Sequence, residues 1–98
     1  MTNPELEFLV TLESVIDDRA RGAGSDSYTA GLIAAGPKRL AQKLGEEGVE
    51  LALAAAAGDR AEILEEAADL VYHLLVLLRS RGISLAEVTA TLEARHTG

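Results

Sequence analysis

Two acidic clusters dominate the chemistry this sequence allows. Glu46-Glu47-x-x-Glu50 is followed by Glu62-x-x-Glu65-Glu66-x-x-Asp69, so residues 46–69 hold eight acids against Arg60 alone. At about 100° per residue, Arg39, Lys43, Glu46, Glu47 and Glu50 share one helical face. Leu40, Leu44 and Leu51 border that face on one side, Val49 and Leu53 on the other. A solvated face has no reason to be edged by leucine twice. Glu62, Glu66, Asp69 and His73 form a second strip, beside the apolar stripe Ile63, Ala67, Leu70, Leu74 and Leu77. Glu65 falls off that strip and reads as solvated. Antiparallel packing of the two helices would bring the strips face to face, and the pKa of at least one carboxyl would rise. A hard divalent cation relieves such repulsion, and oxygen ligands without cysteine suit Mg²⁺ or Mn²⁺. The competing explanation is a pair of surface helices carrying i,i+4 ion pairs such as Lys43–Glu47. His73 reads as a packed residue hydrogen-bonded near Asp69, four residues earlier, while His96 carries no signal.

Positioning these residues requires helices, and the punctuation for them is present. Asn3 precedes Pro4 at the start of a first helix that reaches Arg21 and has Phe8, Leu9, Leu12, Val15 and Ile16 at three- and four-residue spacing. The segment Gly22–Ser27 reads as a loop, and Tyr28–Ala35 as a short helical turn ended by Gly36-Pro37. A second long helix runs from Pro37 to Ala57, with Gly58 behind it as a C′ residue. Asp59 and Glu62 form a capping-box signal for a third, extending to Arg81 and stopped by Gly82, and Ser84 with Glu87 repeats that signal for a last helix to His96. Gly45 and Gly48 are unexpected inside a helix; close helix approach or substrate access would explain them.

The whole composition agrees with an all-α bundle of about four main helices, read as a single domain over residues 1–98. Of the 98 residues 48% are hydrophobic, but only Phe8, Tyr28 and Tyr72 are aromatic, which disfavours a β-sandwich or barrel. The absence of cysteine excludes a disulfide scaffold, a thiolate metal site and a cysteine nucleophile. No apolar run approaches membrane-spanning length and no signal-peptide core is visible, so the expectation is a cytoplasmic protein with no membrane partner. A net charge of −7 argues against a nucleic-acid binder. That charge is segregated: residues 19–43 carry +4 and residues 46–69 carry −7, the pattern of a phosphate site beside a cation site.

At these residues the sequence resembles a known family. Glu46-Glu47-x-x-Glu50 followed by Glu66-x-x-Asp69 is similar to the metal-binding signature of the all-α MazG-like nucleoside triphosphate pyrophosphohydrolases. A longer set of motifs resembles the phosphoribosyl-ATP pyrophosphohydrolase family of histidine biosynthesis. It comprises Asp26-Ser-Tyr-Thr-Ala30, Gly36-Pro-Lys38, Lys43-x-Gly-Glu-Glu-x-x-Glu50 and Glu66-Ala-Ala-Asp-Leu-Val-Tyr-His73, and the likeness extends from Leu6 to His96. Gly48 departs from it, since relatives more often carry a small helix former there. Bifunctional relatives add a cyclohydrolase domain with cysteine zinc ligands, so the resemblance implies the hydrolase step alone.

What it implies is hydrolysis of the α–β phosphoanhydride of phosphoribosyl-ATP to phosphoribosyl-AMP and pyrophosphate. It implies Mg²⁺ on Glu47, Glu50, Glu66 and Asp69, with Glu46 as proton acceptor or further ligand, and with Glu62 and His73 supporting the set from beside it. Lys38, Arg39 and Lys43 would hold phosphates, Arg as a two-pronged fork and Lys as a point charge. Ser27 and Thr29 would add hydroxyl and backbone donors from a loop closing on substrate. A MazG-like dimer is also implied. The sequence agrees, because the third helix carries a second apolar edge at Val71, Leu75 and Leu78 and so has more apolar surface than one partner helix covers. Two rival readings are a house-cleaning nucleotide pyrophosphohydrolase, expected to carry more base-stacking aromatics, and a non-catalytic acidic helical module indifferent to Glu50→Gln.

Overall fold

The helices are fixed by their ends. A computed structural model describes residues 3–22 and 27–97, so Asp26 and most of the expected Gly22–Ser27 loop lie outside the described residues. Within them run α1 (Pro4–Ala20), α2 (Tyr28–Ala35), α3 (Pro37–Ala57), α4 (Arg60–Ser80) and α5 (Leu85–His96), with no strand among the described residues. Asn3 caps α1 by accepting the Glu5 N–H at 2.9 Å, and Pro4 occupies the position where an N–H would go unpaired. The Tyr28–Ala35 stretch, expected as a turn, is a full helix. Ser27 Oγ accepts the Ala30 N–H at 3.0 Å, and Gly36 stops the helix at φ 99°, a conformation costly for any residue with a Cβ.

The link between α3 and α4 matters most for function. Gly58 adopts φ 84° and returns its N–H to Ala54, after which Asp59 Oδ1 accepts from Ala61 and Glu62. Two linking residues force two 21-residue helices into an antiparallel hairpin, and this pair makes the most extensive contact in the molecule. The expected reciprocal bond from Glu62 is not formed among the described residues; Asp59 caps α4 by itself. The box at α5 is complete, with Glu87 N–H donating to Ser84 Oγ at 3.2 Å and Ser84 N–H donating to Glu87 Oε2 at 2.7 Å. Those backbone and hydroxyl bonds hold the Glu87 carboxyl below its ordinary pKa. A further acceptor reaches that helix from α1: Glu13 Oε2 takes the Leu85 N–H at 2.6 Å. Asp17 of α1 pairs with Arg79 of α4 beside it.

The core consists of Ile16, Leu32, Leu40, Leu75 and Val76, with Leu12, Ile33, Tyr72, Leu77 and Leu85 packed against them. This corrects the helix phase expected for α4. Ile63, Ala67, Leu70, Leu74 and Leu77 are only half-buried, whereas Leu75 and Val76 are enclosed. The reason is that α4 is contacted by α3, α1 and α2, so its inner surface is wider than a single stripe. Leu75 therefore belongs to the protomer's own core and not to a surplus edge. Apolar surface remains elsewhere: Phe8 and Val15 on α1, Val49 and Leu53 on α3, and Leu64 and Val71 on α4 are exposed. The second leucine edge of the acidic α3 face is thus open within one chain. No helix among the described residues is long and apolar enough to cross a membrane.

Close helix approach does not account for the glycines inside α3. A Cβ added at Gly45 or Gly48 would meet nothing within 4 Å. Gly48→Ala should therefore stabilise the protein by about 1 kcal/mol and raise its thermal midpoint by about 4–8 °C. A loss of stability in a calorimetric melt would show that something outside the protomer needs that space.

Candidate active site

The α3–α4 hairpin brings the two acidic strips together. Glu47 from α3 and Glu66 and Asp69 from α4 each offer a carboxylate oxygen, and the three oxygens lie within 4.8 Å of one another. Glu47 is only 4% exposed, so its charge is held away from water. Neither Glu47 Oε2 nor Glu66 Oε2 has a hydrogen-bond partner. Buried carboxylate oxygens without donors are costly, and three converging acids compound the cost by repulsion. A divalent cation supplies what these oxygens lack, so the residues fit a metal of the hard, oxygen-seeking class.

The remaining predicted residues are arranged around this centre. Glu50 lies on the side of α3 that reaches Glu66. The adjacent Glu50 carboxyl is the largest cause of a raised Glu66 pKa, followed by desolvation and the charges of Asp69 and Glu47. Lys43 Nζ sits 3.2 Å from Glu47 Oε1. That hydrogen bond, and next the nearby Tyr28 hydroxyl, push the Lys43 pKa up against the opposing effect of desolvation. Glu46 points outward and is exposed, its Oε2 accepting from Gln42 Nε2 at 3.3 Å. Lys38 and Arg39 are exposed in the first turn of α3, and Glu62 and Glu65 are exposed on α4. Glu62 is not drawn into the three-carboxylate centre.

His73 is buried one helical turn beyond Asp69, and its Nδ1 donates to the Asp69 backbone carbonyl at 2.7 Å. The hydrogen bond expected near Asp69 is therefore present, but made to the main chain. With Nδ1 carrying the proton, Nε2 is left to accept, and the Tyr28 hydroxyl donates to it at 2.9 Å. Thr29 lies inside α2, not on a loop; it is buried, and its hydroxyl is hydrogen-bonded to that of Tyr72. Ser27 spends its hydroxyl on the α2 cap. Tyr28, Tyr72 and His73 form a cluster, with ring centroids 5.2–6.3 Å apart. Sequence reasoning gave neither tyrosine a role. The signal was that two of only three aromatic residues fall in the Ser-Tyr-Thr and Tyr-His motifs.

Residues 9–96 match the family model described as phosphoribosyl-ATP pyrophosphohydrolase. The chain belongs to that family. Phosphoribosyl-ATP pyrophosphohydrolases are hydrolases, and the all-helical architecture is compatible with a MazG-like bundle. The chain is 55% identical over 93 residues to the histidine biosynthesis bifunctional protein HisIE of Photobacterium profundum, covering 95% of this chain and 45% of that protein. It is 51% identical over 92 residues to HisIE of Vibrio cholerae (94% and 44% covered) and 54% identical over 89 residues to HisIE of Shewanella oneidensis (91% and 42% covered). The chain thus spans less than half the length of these relatives.

The strained carboxylates give the pyrophosphohydrolase domain a stability signature. Because the folded-state pKa of Glu66 is raised, the native protein binds the proton more tightly than the unfolded chain, and stability falls as pH rises above the ordinary glutamate value. In chelator, Glu66→Gln should melt above the unsubstituted protein at neutral pH. The gain should shrink as pH falls to that value, and saturating Mg²⁺ should reverse the order. A Glu66→Gln variant that is destabilised in chelator at neutral pH would count against the repulsive cluster.

Proposed function

We propose that this chain hydrolyses the α–β phosphoanhydride of phosphoribosyl-ATP, releasing phosphoribosyl-AMP and pyrophosphate, the second step of histidine biosynthesis, in the cytoplasm. The observation that carries this is the convergence of Glu47, Glu66 and Asp69 with two orphaned buried oxygens, in a chain of this family. Mg²⁺, or Mn²⁺ of the same class, held by these three and by Glu50 beside Glu66, would screen phosphate charge and acidify an attacking water.

The other steps belong to the protein. Lys43 already pairs with Glu47 at the edge of the centre, so its ammonium can pass from that carboxylate to a phosphate oxygen without leaving the site. Lys38 and Arg39, one turn earlier on α3, extend this positive edge outward along the path a polyphosphate would follow. The role of proton acceptor for the attacking water is given to Glu46 by the family resemblance; its exposed carboxylate, bonded to a single amide, would have to turn from its outward position to fill it. Water adds across the phosphoanhydride, one oxygen–phosphorus bond forms as the bridging bond breaks, and pyrophosphate departs. The α2 N-terminus, capped by Ser27, is fixed against α4 through the Thr29–Tyr72 hydrogen bond.

A pyrophosphate-release assay with phosphoribosyl-ATP tests the proposal. Activity should vanish in excess EDTA and return with Mg²⁺. Glu50→Gln, Glu66→Gln and Asp69→Asn should each lower kcat/KM by about 10²-fold or more, while Glu65→Gln stays within about twofold. Full activity in EDTA, or equal losses at Glu65 and Glu66, would defeat it.

We also propose that the chain acts as a homodimer. The support is the exposed apolar set Val49 and Leu53 on α3 with Leu64 and Val71 on α4, bordering the acidic groove in a chain with few fully buried side chains. A second copy would close the open edge of the site. Light scattering at micromolar concentration should return at least twice the chain mass. A folded monomer would contradict it.

A further inference from the structure

The Tyr28 ring is an unusual combination of exposure and constraint. Its hydroxyl is tied to His73 Nε2 at 2.9 Å, and its ring lies 24° from parallel to that of Tyr72, with centroids 6.3 Å apart. His73 meets both tyrosines edge-on, at 84° and 89°. Yet Tyr28 remains 54% exposed. An exposed tyrosine without a task would keep its rotamer freedom and turn its hydroxyl to water. Here the hydroxyl is drawn inward to a buried histidine, while the flat apolar surface is left outward.

Its position adds the second observation. His73 follows Asp69 by four residues on α4, so the residue that anchors Tyr28 stands about one helical turn from a member of the carboxylate centre. On the α3 side Lys43 Nζ joins the carboxylate centre through Glu47 Oε1 at 3.2 Å. An exposed aromatic surface is thus tied through His73 to the stretch of α4 that carries the carboxylate centre, and a cation, Lys43, pairs with that centre from α3. An aromatic surface tied to a cation-and-carboxylate centre suits the two ends of a purine nucleotide, base and phosphates.

We infer that Tyr28 is the stacking platform for the purine base of the substrate, held at a fixed angle by His73, which acts as a positioning residue. This deepens the proposed pyrophosphohydrolase reading by assigning base recognition to a residue outside the acidic signature. Stacking on an aromatic ring is indifferent to which polar groups edge the base, and removing such a ring costs about tenfold or more in affinity.

AMP and inorganic pyrophosphate serve as separate probes for the two ends of the groove. With Mg²⁺ present, Tyr28→Leu should weaken AMP binding about tenfold and leave pyrophosphate within twofold. Tyr28→Phe, which keeps the ring and loses only the tether, should fall between the unsubstituted protein and Tyr28→Leu. The chain has no tryptophan, so tyrosine emission is readable; after correction for nucleotide absorbance, AMP should quench it in the unsubstituted protein and far less in Tyr28→Leu. Circular dichroism checks that both variants stay folded, and Tyr28 is exposed enough for this to be expected. Unchanged AMP affinity in Tyr28→Leu would overturn the inference, as would equal losses for AMP and pyrophosphate or a Tyr28→Phe loss as large as that of Tyr28→Leu. The two readings fail separately. An unsubstituted protein that binds AMP through Tyr28 but does not hydrolyse phosphoribosyl-ATP refutes the reaction and keeps the platform. Normal turnover with unaltered AMP binding in Tyr28→Leu does the reverse.

Discussion

Three carboxylates gathered between two helices repel one another, two of their buried oxygens have no hydrogen-bond partner, and the rest of the architecture serves to hold them there regardless. Oxygens of Glu47, Glu66 and Asp69 are brought within 4.8 Å of one another by the α3–α4 hairpin, and the Glu66 pKa is raised, first by neighbouring Glu50, then by desolvation and the charges of Asp69 and Glu47. Apolar burial supplies the opposing force. Leu40 on α3 and Leu75 and Val76 on α4 are almost fully enclosed, and each buried aliphatic side chain contributes roughly 1.5–3 kcal/mol. The hairpin cannot separate its acids without exposing that core. Lys43 relieves part of the repulsion through Glu47, and the same ammonium is available to substrate phosphate.

The short connections transmit this constraint to the neighbouring elements. Gly58 and Asp59 fix the register of α4 against α3, since a longer link would let the acidic strips slide past each other. Gly36 is the one residue between α2 and α3, and Tyr28 at the start of α2 is held to α4 through His73. On the far side, Glu13 caps α5 and Asp17 pairs with Arg79, tying α1 to the C-terminal end of the hairpin. None of these groups carries substrate chemistry.

Helix boundaries and the acidic pattern were legible in the sequence because each depends on local chemistry. Asn3, Ser84 with Glu87, Gly58 and Pro37 act through bonds within a few residues, and all mark the ends they were expected to mark. The pairing of Glu47 with Glu66 and Asp69 followed from one assumption, antiparallel packing, which the two-residue turn enforces. Burial along α4 was misjudged because three neighbouring helices define its inner surface, and sequence periodicity allows for one. The Val49–Leu53 edge appeared to enclose the acids but is open within a single protomer. The Tyr28–His73 and Thr29–Tyr72 bonds join residues more than 40 positions apart, so no local pattern could announce them.

Where a divalent cation binds is the most direct test of the groove's purpose. Crystals grown with Mn²⁺ and measured at its absorption edge should give an anomalous peak between α3 and α4. Oxygens of Glu47, Glu66 and Asp69 should lie about 2.1 Å from it, as hard six-coordinate cations require. A peak confined to the outward acids Glu46, Glu62 or Glu65, with Lys43 still the sole cation at Glu47, would show that the convergence of these carboxylates is not a metal centre.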